Sequence, residues 1–169
     1  MNQRPKLRLT LSKADKIIEI LGWVLLTTHW ILTAVNYQNL PEVIPTHYNA
    51  SGVADGFGDK WLILTLPLVA TVLLVAMTIV NRFPHLFNYP ATITKDNALS
   101  QYTHATRLIR LLKVVVTVIF NLLTYQTIRH ANQQSQGLGT WFLPFVLGLI
   151  FIPLAYFAVK SSKTPNKVN

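Results

Sequence analysis

Three long segments of this sequence contain no charged side chain. Lys, Arg, Asp and Glu are absent from residues 20–37, 61–81 and 138–159. A helix of about 20 apolar residues spans the hydrocarbon core of a bilayer, so each segment predicts a membrane-spanning helix. The chain is 12% charged, whereas soluble domains carry about 25% charged residues. The sequence therefore predicts an integral membrane protein.

A fourth and less clean apolar segment brings the predicted spans to four. Arg110 and Lys113 lie in the first turns of its helix, from where long basic side chains can snorkel to the interface. The predicted fold is a single all-α domain, residues 1–169, built as an integral membrane bundle of four transmembrane helices. Its parts are spans at about 17–37, 61–80, 108–128 and 138–159, an outside loop at 38–60 and a cytoplasmic segment at 81–107.

The net charge of +9 is distributed unevenly along the chain. Apart from Lys60 and Arg129, every Lys and Arg lies in residues 1–16, 81–113 or 160–169. Basic residues accumulate on the cytoplasmic side of membrane proteins, so this pattern predicts a multi-pass protein of the cell membrane with both termini in the cytoplasm. The basic surplus then faces lipid headgroups of the bilayer, and nucleic acid is not an expected partner.

Signatures of catalysis are missing from the sequence. There is no cysteine, which excludes disulfides, thiol nucleophiles and cysteine-based metal sites. Neither H-E-x-x-H nor G-x-S-x-G occurs. The spans contain no pair of carboxylates, because Glu19 lies at the edge of the first span. We therefore expect a non-enzymatic protein without a cofactor.

The outside loop, LPEVIPTHYNASGVADGFGDKW at residues 40–61, is polar and rich in turn-forming residues. Its prolines favour extended backbone over residues 40–46. The Asn, Asp and Gly residues that follow predict three turns, at 49–52, 55–56 and 58–59.

These turns would bring the polar side chains of the loop together, namely His47, Asn49, Asp55, Asp59 and Lys60. Two interpretations remain open. The loop is either a ligand-binding surface formed by His47, Asn49, Asp55 and Lys60, or a structural cap on the bundle. His47 with Asp55 lacks the closed ligand set of a structural metal site, so no metal is expected.

Two polar side chains lie inside the predicted spans. His29 on the first span and Asn121 on the third are at similar depth, because both helices run from inside to outside. An ionisable residue within a span is a functional candidate. The structural alternative is an interhelical hydrogen bond, worth roughly 0.6–2 kcal/mol. Thr27, Thr28 and Thr117 would join the same polar patch.

The cytoplasmic segment leads into the third span. Thr94 is predicted to cap a helix that starts at about Lys95 and continues into the membrane. Arg107, Arg110 and Lys113 follow at intervals of three residues and spread around the helix surface as a cytoplasmic basic collar. We expect the basic cytoplasmic segment 95–113, which includes the collar, to contact lipid headgroups or a regulatory partner.

The outside loop also carries a specific pattern of residues, formed by Leu40, Pro41, Ile44, Pro45, His47, Tyr48, Asn49, Gly52, Asp55, Gly58 and Lys60. This pattern resembles the signature of the small membrane domain that opens SdpI-type bacteriocin-immunity and signal-transduction proteins of bacteria. The later YPATITKDN, followed by an Arg-rich helix start, is similar to the same family. The resemblance covers roughly residues 18–113.

The resemblance implies a bacterial membrane protein of the immunity or signalling type. The outside loop would then sense or block a peptide toxin or meet a signalling partner. SdpI-type proteins carry a further membrane half after this domain, and the four spans predicted here correspond to shorter members. The alternative hypothesis is a small transporter or permeability protein with a polar midplane path through His29 and Asn121. In it, helix breaks at Pro67, Pro144 and Pro153 would surround the path.

Overall fold

The computed structural model describes residues 4–162, which form four long helices and a small two-stranded sheet. Each helix belongs to a segment long and apolar enough to cross a membrane, and a 3₁₀-helix at Lys60–Leu64 extends the second. The expectation of four such helices is confirmed. They are α1 (Lys13–Tyr37), α2 (Thr65–Val80), α3 (Ala98–Ala131) and α4 (Phe142–Ser162).

Local chemistry fixes the first residues of α1 and α4. Ser12 and Asp15 form a reciprocal capping box, so α1 begins at Lys13, four residues before the predicted span. Before α4, Gly137 and Gly139 adopt φ angles of 125° and 79°. This backbone is incompatible with a right-handed helix, and α4 therefore begins after Trp141.

The segment predicted as the outside loop, residues 38–60, contains a β-hairpin, which corrects the prediction of an all-α fold. Strands β1 (Val43–Tyr48) and β2 (Ala54–Asp59) pair antiparallel. The predicted turn at 49–52 is present, but the pairs Asp55-Gly56 and Gly58-Asp59 lie within β2 and make no turn. Glycine is accepted in this strand because a side chain packs closely against its backbone: a Cβ on Gly58 would lie 2.7 Å from Leu62 Cδ1.

The start of α3 is also displaced from its predicted position. Residues 95–97 form a turn, and the helix begins at Ala98 with Asn97 as its N-cap residue. Thr94 nevertheless acts locally, because its hydroxyl accepts a hydrogen bond from the Asn97 amide and its own amide donates to Asn97 Oδ1. The cap predicted at Thr94 therefore lies three residues too early.

The interior of the bundle is polar along α3, which packs against the other three helices. Its buried polar side chains recur at intervals of three to seven residues: Gln101, Thr106, Arg110, Lys113, Thr117, Thr124 and Thr127. Large apolar side chains on α1, α2 and α4 are exposed instead, for example Ile17, Leu68 and Ile152. An apolar outside around a polar inside suits a bundle in lipid, where polar groups need partners within the protein.

Contacts between the connections define the two ends of the bundle. The amide of Leu138 donates to Gly52 O at 2.8 Å, so the hairpin and the α3–α4 connection lie at one end, here named the hairpin end. Arg4 Nη1 donates to Phe87 O at 2.6 Å, and Tyr102 donates to Pro5 O at 3.1 Å. The amino-terminal tail and residues 81–97 therefore lie together at the opposite, tail end.

Candidate functional site

The hairpin is closed by a turn that Asn49 stabilises with its own side chain. Asn49 Oδ1 accepts the amides of Ser51 at 3.0 Å and Val53 at 3.1 Å. Gly52 follows at φ 76°, a conformation that glycine adopts without steric cost. Asn49, predicted to bind a ligand, is therefore placed where its amide oxygen is occupied by the turn.

His47 and Asp55 meet across the two strands. His47 Nδ1 and Asp55 Oδ1 are 2.5 Å apart, and their side chains are 72% and 45% exposed. The strand register shifts on both sides of His47, and a Cβ on the opposing Gly56 would lie only 2.9 Å from His47 Cβ. When the neutral imidazole donates from Nδ1 to the carboxylate, Nε2 is left as an acceptor for a ligand. The structure thus brings together two of the residues predicted from the sequence.

Lys60 belongs to a different part of the hairpin. Its ammonium donates to Glu42 Oε1 at 2.8 Å and lies 5.8 Å from the centre of the Tyr37 ring. Val43 pairs with Asp59, whereas His47 pairs with Gly56, so Lys60 and Glu42 lie at the base of the hairpin. The polar residues expected to form one group are therefore divided between the two ends of the strands.

A pocket of about 450 Å³ lies between the hairpin and the bundle. Most of its surface is apolar, with hydroxyls of Thr46, Thr65 and Thr127 among the lining groups. The pocket size is typical of a small-ligand site. Its walls come from residues 44–48 of β1, from Leu62, Ile63, Thr65 and Leu66, from Leu123 and Thr127 of α3, and from Leu138.

Tyr48 attaches the hairpin to α3 at this pocket. Its hydroxyl donates to Thr127 Oγ1 at 3.2 Å, and its ring lies 6.0 Å from that of His130. Burial raises the pKa of the Tyr48 phenol, so the group stays protonated and remains a donor. The contact holds one wall of the pocket against the membrane-spanning part of the protein.

The tip of the hairpin also contacts the α3–α4 connection, which sequence reasoning missed. A Cβ on Gly52 would lie 2.6 Å from Gly139 O, and one on Gly137 would lie 2.2 Å from Gly52 O. Gly52 and Gly137 therefore allow the two backbones to touch. The available signal was QGLG at residues 136–139, a glycine pair in the connection between the third and fourth predicted spans.

His29 and Asn121 each bond between α1 and α3, but not to one another. His29 is fully buried, and its Nε2 lies 2.7 Å from Thr124 Oγ1. Asn121 Nδ2 donates to Leu25 O at 3.1 Å and to Thr117 O at 2.8 Å. The arrangement fits the structural alternative, an interhelical polar seam.

Thr27 and Thr28, which were expected in the same patch, lie outside the seam. Their hydroxyls donate to the carbonyls of Trp23 and Val24 on the exposed side of α1. His29 Nδ1 is buried without a hydrogen-bond partner among residues 4–162.

Removing the hydroxyl of Thr124 should weaken the bundle. We expect Thr124→Val to lower the free energy of unfolding by about 0.6–2 kcal/mol, because His29 loses its partner on α3. Unfolding by dodecyl sulfate in mixed micelles, followed by circular dichroism, measures the change. Thr28→Val is the matched control, since its hydroxyl bonds only within α1. Equal losses in both variants would contradict a role for the seam.

The basic collar is directed into the bundle. Lys113 and Arg110 both pair with Glu19, and Arg110 Nε lies 3.6 Å from Glu19 Oε2. Lys113 Nζ also donates to Thr78 Oγ1 at 2.9 Å. Lys113 is 2% exposed and Arg110 is 7% exposed. Contrary to the expectation from the sequence, neither side chain is accessible to lipid headgroups.

Arg107 stands nearer the surface at the same end. Its Nε donates to Asp15 Oδ1 at 2.9 Å. The collar and two carboxylates of α1 therefore form an internal charge network, in which buried charges are compensated by opposite charges.

Comparison with other proteins places a known domain around the hairpin. Residues 23–71 match a domain of unknown function (DUF1648), and this segment runs from α1 through the hairpin into α2. The chain is also 33% identical over 89 residues to an uncharacterized protein of Archaeoglobus fulgidus, with 48% of this chain covered.

The chain spans about half the length of this curated relative, since the match covers 49% of that protein. No solved structure matches. The part of the chain that carries the domain similarity is therefore the hairpin with the helix segments on either side of it.

Proposed function

We propose that the chain is a non-enzymatic bacterial membrane protein of the immunity or signalling type, whose hairpin end binds an extracellular peptide. The observation that carries the proposal is the pocket of about 450 Å³ between the hairpin and the bundle, with the exposed pair of His47 and Asp55 beside it. An apolar pocket with a few polar groups suits binding of a small apolar group, such as a peptide side chain.

The orientation in the membrane supports an extracellular ligand. Basic residues are concentrated in the tail-end segments and in the carboxyl-terminal segment, and only Lys60 and Arg129 belong to the opposite side. The positive-inside rule then directs the tail end to the cytoplasm and the hairpin to the outside. A multi-pass protein in the cell membrane would present the hairpin as its main external structure.

The domain match and the resemblance point to the same segment. The matched residues 23–71 contain the whole hairpin, and the motif similar to SdpI-type proteins lies within it. Immunity proteins of that type protect a cell from a peptide toxin. We propose a corresponding role for the hairpin pocket here, as a surface that senses or intercepts a peptide or passes its signal to a partner.

The proposal predicts that the exposed pair contributes to protection. In a sensitive bacterium, expression of the wild type is expected to raise survival against membrane-active peptide toxins. The protection given by the His47→Ala/Asp55→Ala variant should be at least about tenfold weaker than that of the wild type, because a charge-assisted polar contact is worth roughly 1.5–3 kcal/mol. Survival is counted at matched membrane levels, checked by immunoblot.

Glu42→Gln serves as the control within the same hairpin. Glu42 is 85% exposed and pairs with Lys60 at the base, away from His47. Protection by this variant should equal that of the wild type. Unchanged protection by the double variant at equal expression would refute the role of the pair, and absence of protection by the wild type would refute the immunity function.

The transporter hypothesis has less support from the side-chain contacts. His29 is fully buried and bonded to Thr124, and neither His29 nor Asn121 lines the hairpin pocket or the two other pockets described for residues 4–162. Pro67 and Pro144 lie in the first turns of α2 and α4, where proline is tolerated, and only Pro153 lies inside a helix. Continuous water access to His29, detected by chemical labelling of a cysteine placed there, would reverse this preference.

A further inference from the structure

The positive charge at the tail end falls into two classes. Arg107, Arg110 and Lys113 are all paired with carboxylates of α1, Asp15 and Glu19. Arg4 and Lys95 have no acidic partner among residues 4–162. The cations without an acidic partner at this end therefore lie outside the collar predicted from the sequence.

Arg4 and Lys95 face the same cleft. It has a volume of about 670 Å³ and lies between the amino-terminal tail and residues 89–95. Thr92 and Thr94 also line it, and none of the described lining residues is Asp or Glu. Two cations with neighbouring hydroxyl donors form a surface that complements a phosphate group.

The guanidinium of Arg4 is already held in place. Its Nη1 donates to the carbonyls of His85 at 3.3 Å and Phe87 at 2.6 Å, and its Cζ lies 5.7 Å from the centre of the Tyr89 ring. These contacts use one nitrogen and one face of the group, so Nη2 and Nε remain available as donors. A preorganised arginine loses less entropy when it binds a planar or tetrahedral anion.

We propose that this cleft binds the phosphate headgroup of an anionic membrane phospholipid. The position favours a lipid over a soluble phosphate. The cleft adjoins the first turn of α3, a segment long and apolar enough to cross the membrane. Tyr89, in its lining, packs against Tyr102 at 5.6 Å, and tyrosines commonly lie at the headgroup level. Basic pockets at the ends of spanning helices are a recurrent form of headgroup site.

Native mass spectrometry of the full chain, released from detergent, tests the proposal. Phosphatidylglycerol, which is anionic, and phosphatidylcholine, which is zwitterionic, are added separately with identical acyl chains, so that the two lipids differ only in the headgroup. We expect the wild type to retain phosphatidylglycerol in preference to phosphatidylcholine. Arg4→Gln/Lys95→Gln should bind phosphatidylglycerol about 25-fold more weakly, at about fivefold for each cation lost near the surface.

Lys6→Gln/Arg8→Gln is the matched control, because it removes two cations from the same tail that do not line the cleft. It should keep the preference for phosphatidylglycerol. Equal weakening in both double variants would show attraction to general charge and overturn the site. Equal retention of the two lipids by the wild type would overturn it as well.

Two further arms keep the result independent of folding and of ligand source. Lys95→Gln alone should weaken binding about fivefold without disturbing the tail, because Lys95 makes no hydrogen bond within residues 4–162. Millimolar inorganic phosphate should leave the lipid bound. Displacement of the lipid by phosphate would identify a soluble phosphate as the ligand and overturn the lipid assignment. Neither arm depends on the function of the hairpin.

Discussion

Glu19→Gln is expected to lower the free energy of unfolding by about 3–5 kcal/mol, the usual cost of removing one partner from a buried ion pair. Glu19 pairs with both Lys113 and Arg110. Their side chains are only 2% and 8% exposed, so the variant would leave two cations inside the bundle without a counter-charge. Unfolding by dodecyl sulfate in mixed micelles, followed by circular dichroism, measures the loss.

The exposed pair of Glu42 and Lys60 supplies the control. Glu42→Gln removes a carboxylate that is 85% exposed, and its expected cost is at most about 1 kcal/mol. A rescue separates charge from packing: Glu19→Gln/Lys113→Gln should be more stable than Glu19→Gln alone, because one uncompensated cation is gone. A single variant as stable as the control would contradict the internal charge network.

The charge network explains why the basic collar was misjudged from the sequence. The regular spacing of Arg107, Arg110 and Lys113 describes how they spread around one helix, but not which partner each side chain meets. Their partners, Asp15 and Glu19, are one helical turn apart on α1 and more than 90 residues away in the chain. Only the packing of α1 against α3 shows that the collar is directed inward.

The four apolar helices could be predicted because hydropathy depends on neighbouring residues alone. The hairpin could not, because its strands are held by pairing with one another and by contacts with distant segments. Gly56 and Gly58 indicate turns by their identity, yet in the structure they make room for His47 and Leu62. Tyr48 reaches Thr127, 79 residues further along the chain.

The polar seam was predicted in position but not in its pairing. His29 and Asn121 do lie on the two facing helices, as their depth suggested. The rotation of each helix about its axis decides which groups meet, and it places Thr124 opposite the imidazole while Asn121 bonds to Leu25 O. Side-chain packing over the whole helix sets that rotation, so a single residue type does not reveal it.

Gly52→Ala is expected to detach the tip of the hairpin from the α3–α4 connection at a cost of about 2–4 kcal/mol. Two effects combine. A left-handed φ of 76° is unfavourable for alanine, and the added Cβ would lie 2.6 Å from Gly139 O and 2.7 Å from Gly139 N. Backbone atoms cannot move aside as a flexible side chain can, so the contact itself must open.

The amide of Leu138 reports this opening directly, because it donates to Gly52 O in the closed state. A loss of 2–4 kcal/mol corresponds to an increase in its hydrogen-exchange rate of about 30- to 1,000-fold. Gly22→Ala, within α1, is the matched control, since the added Cβ would meet Leu74 Cδ1 of α2 at an ordinary contact distance of 3.7 Å. That variant should be neutral or more stable by about 0.5–1 kcal/mol.

Gly52→Ala also links the hairpin contact to the proposed function. Leu138 is also a wall of the pocket, so detachment of the tip should enlarge the pocket and weaken peptide binding while the four helices stay folded. Protection should then fall as it does for the His47→Ala/Asp55→Ala variant, although both side chains of the pair are intact. Rapid exchange at Leu138 together with full protection would mean that the pocket does not need this wall, and that the ligand meets only the exposed strands.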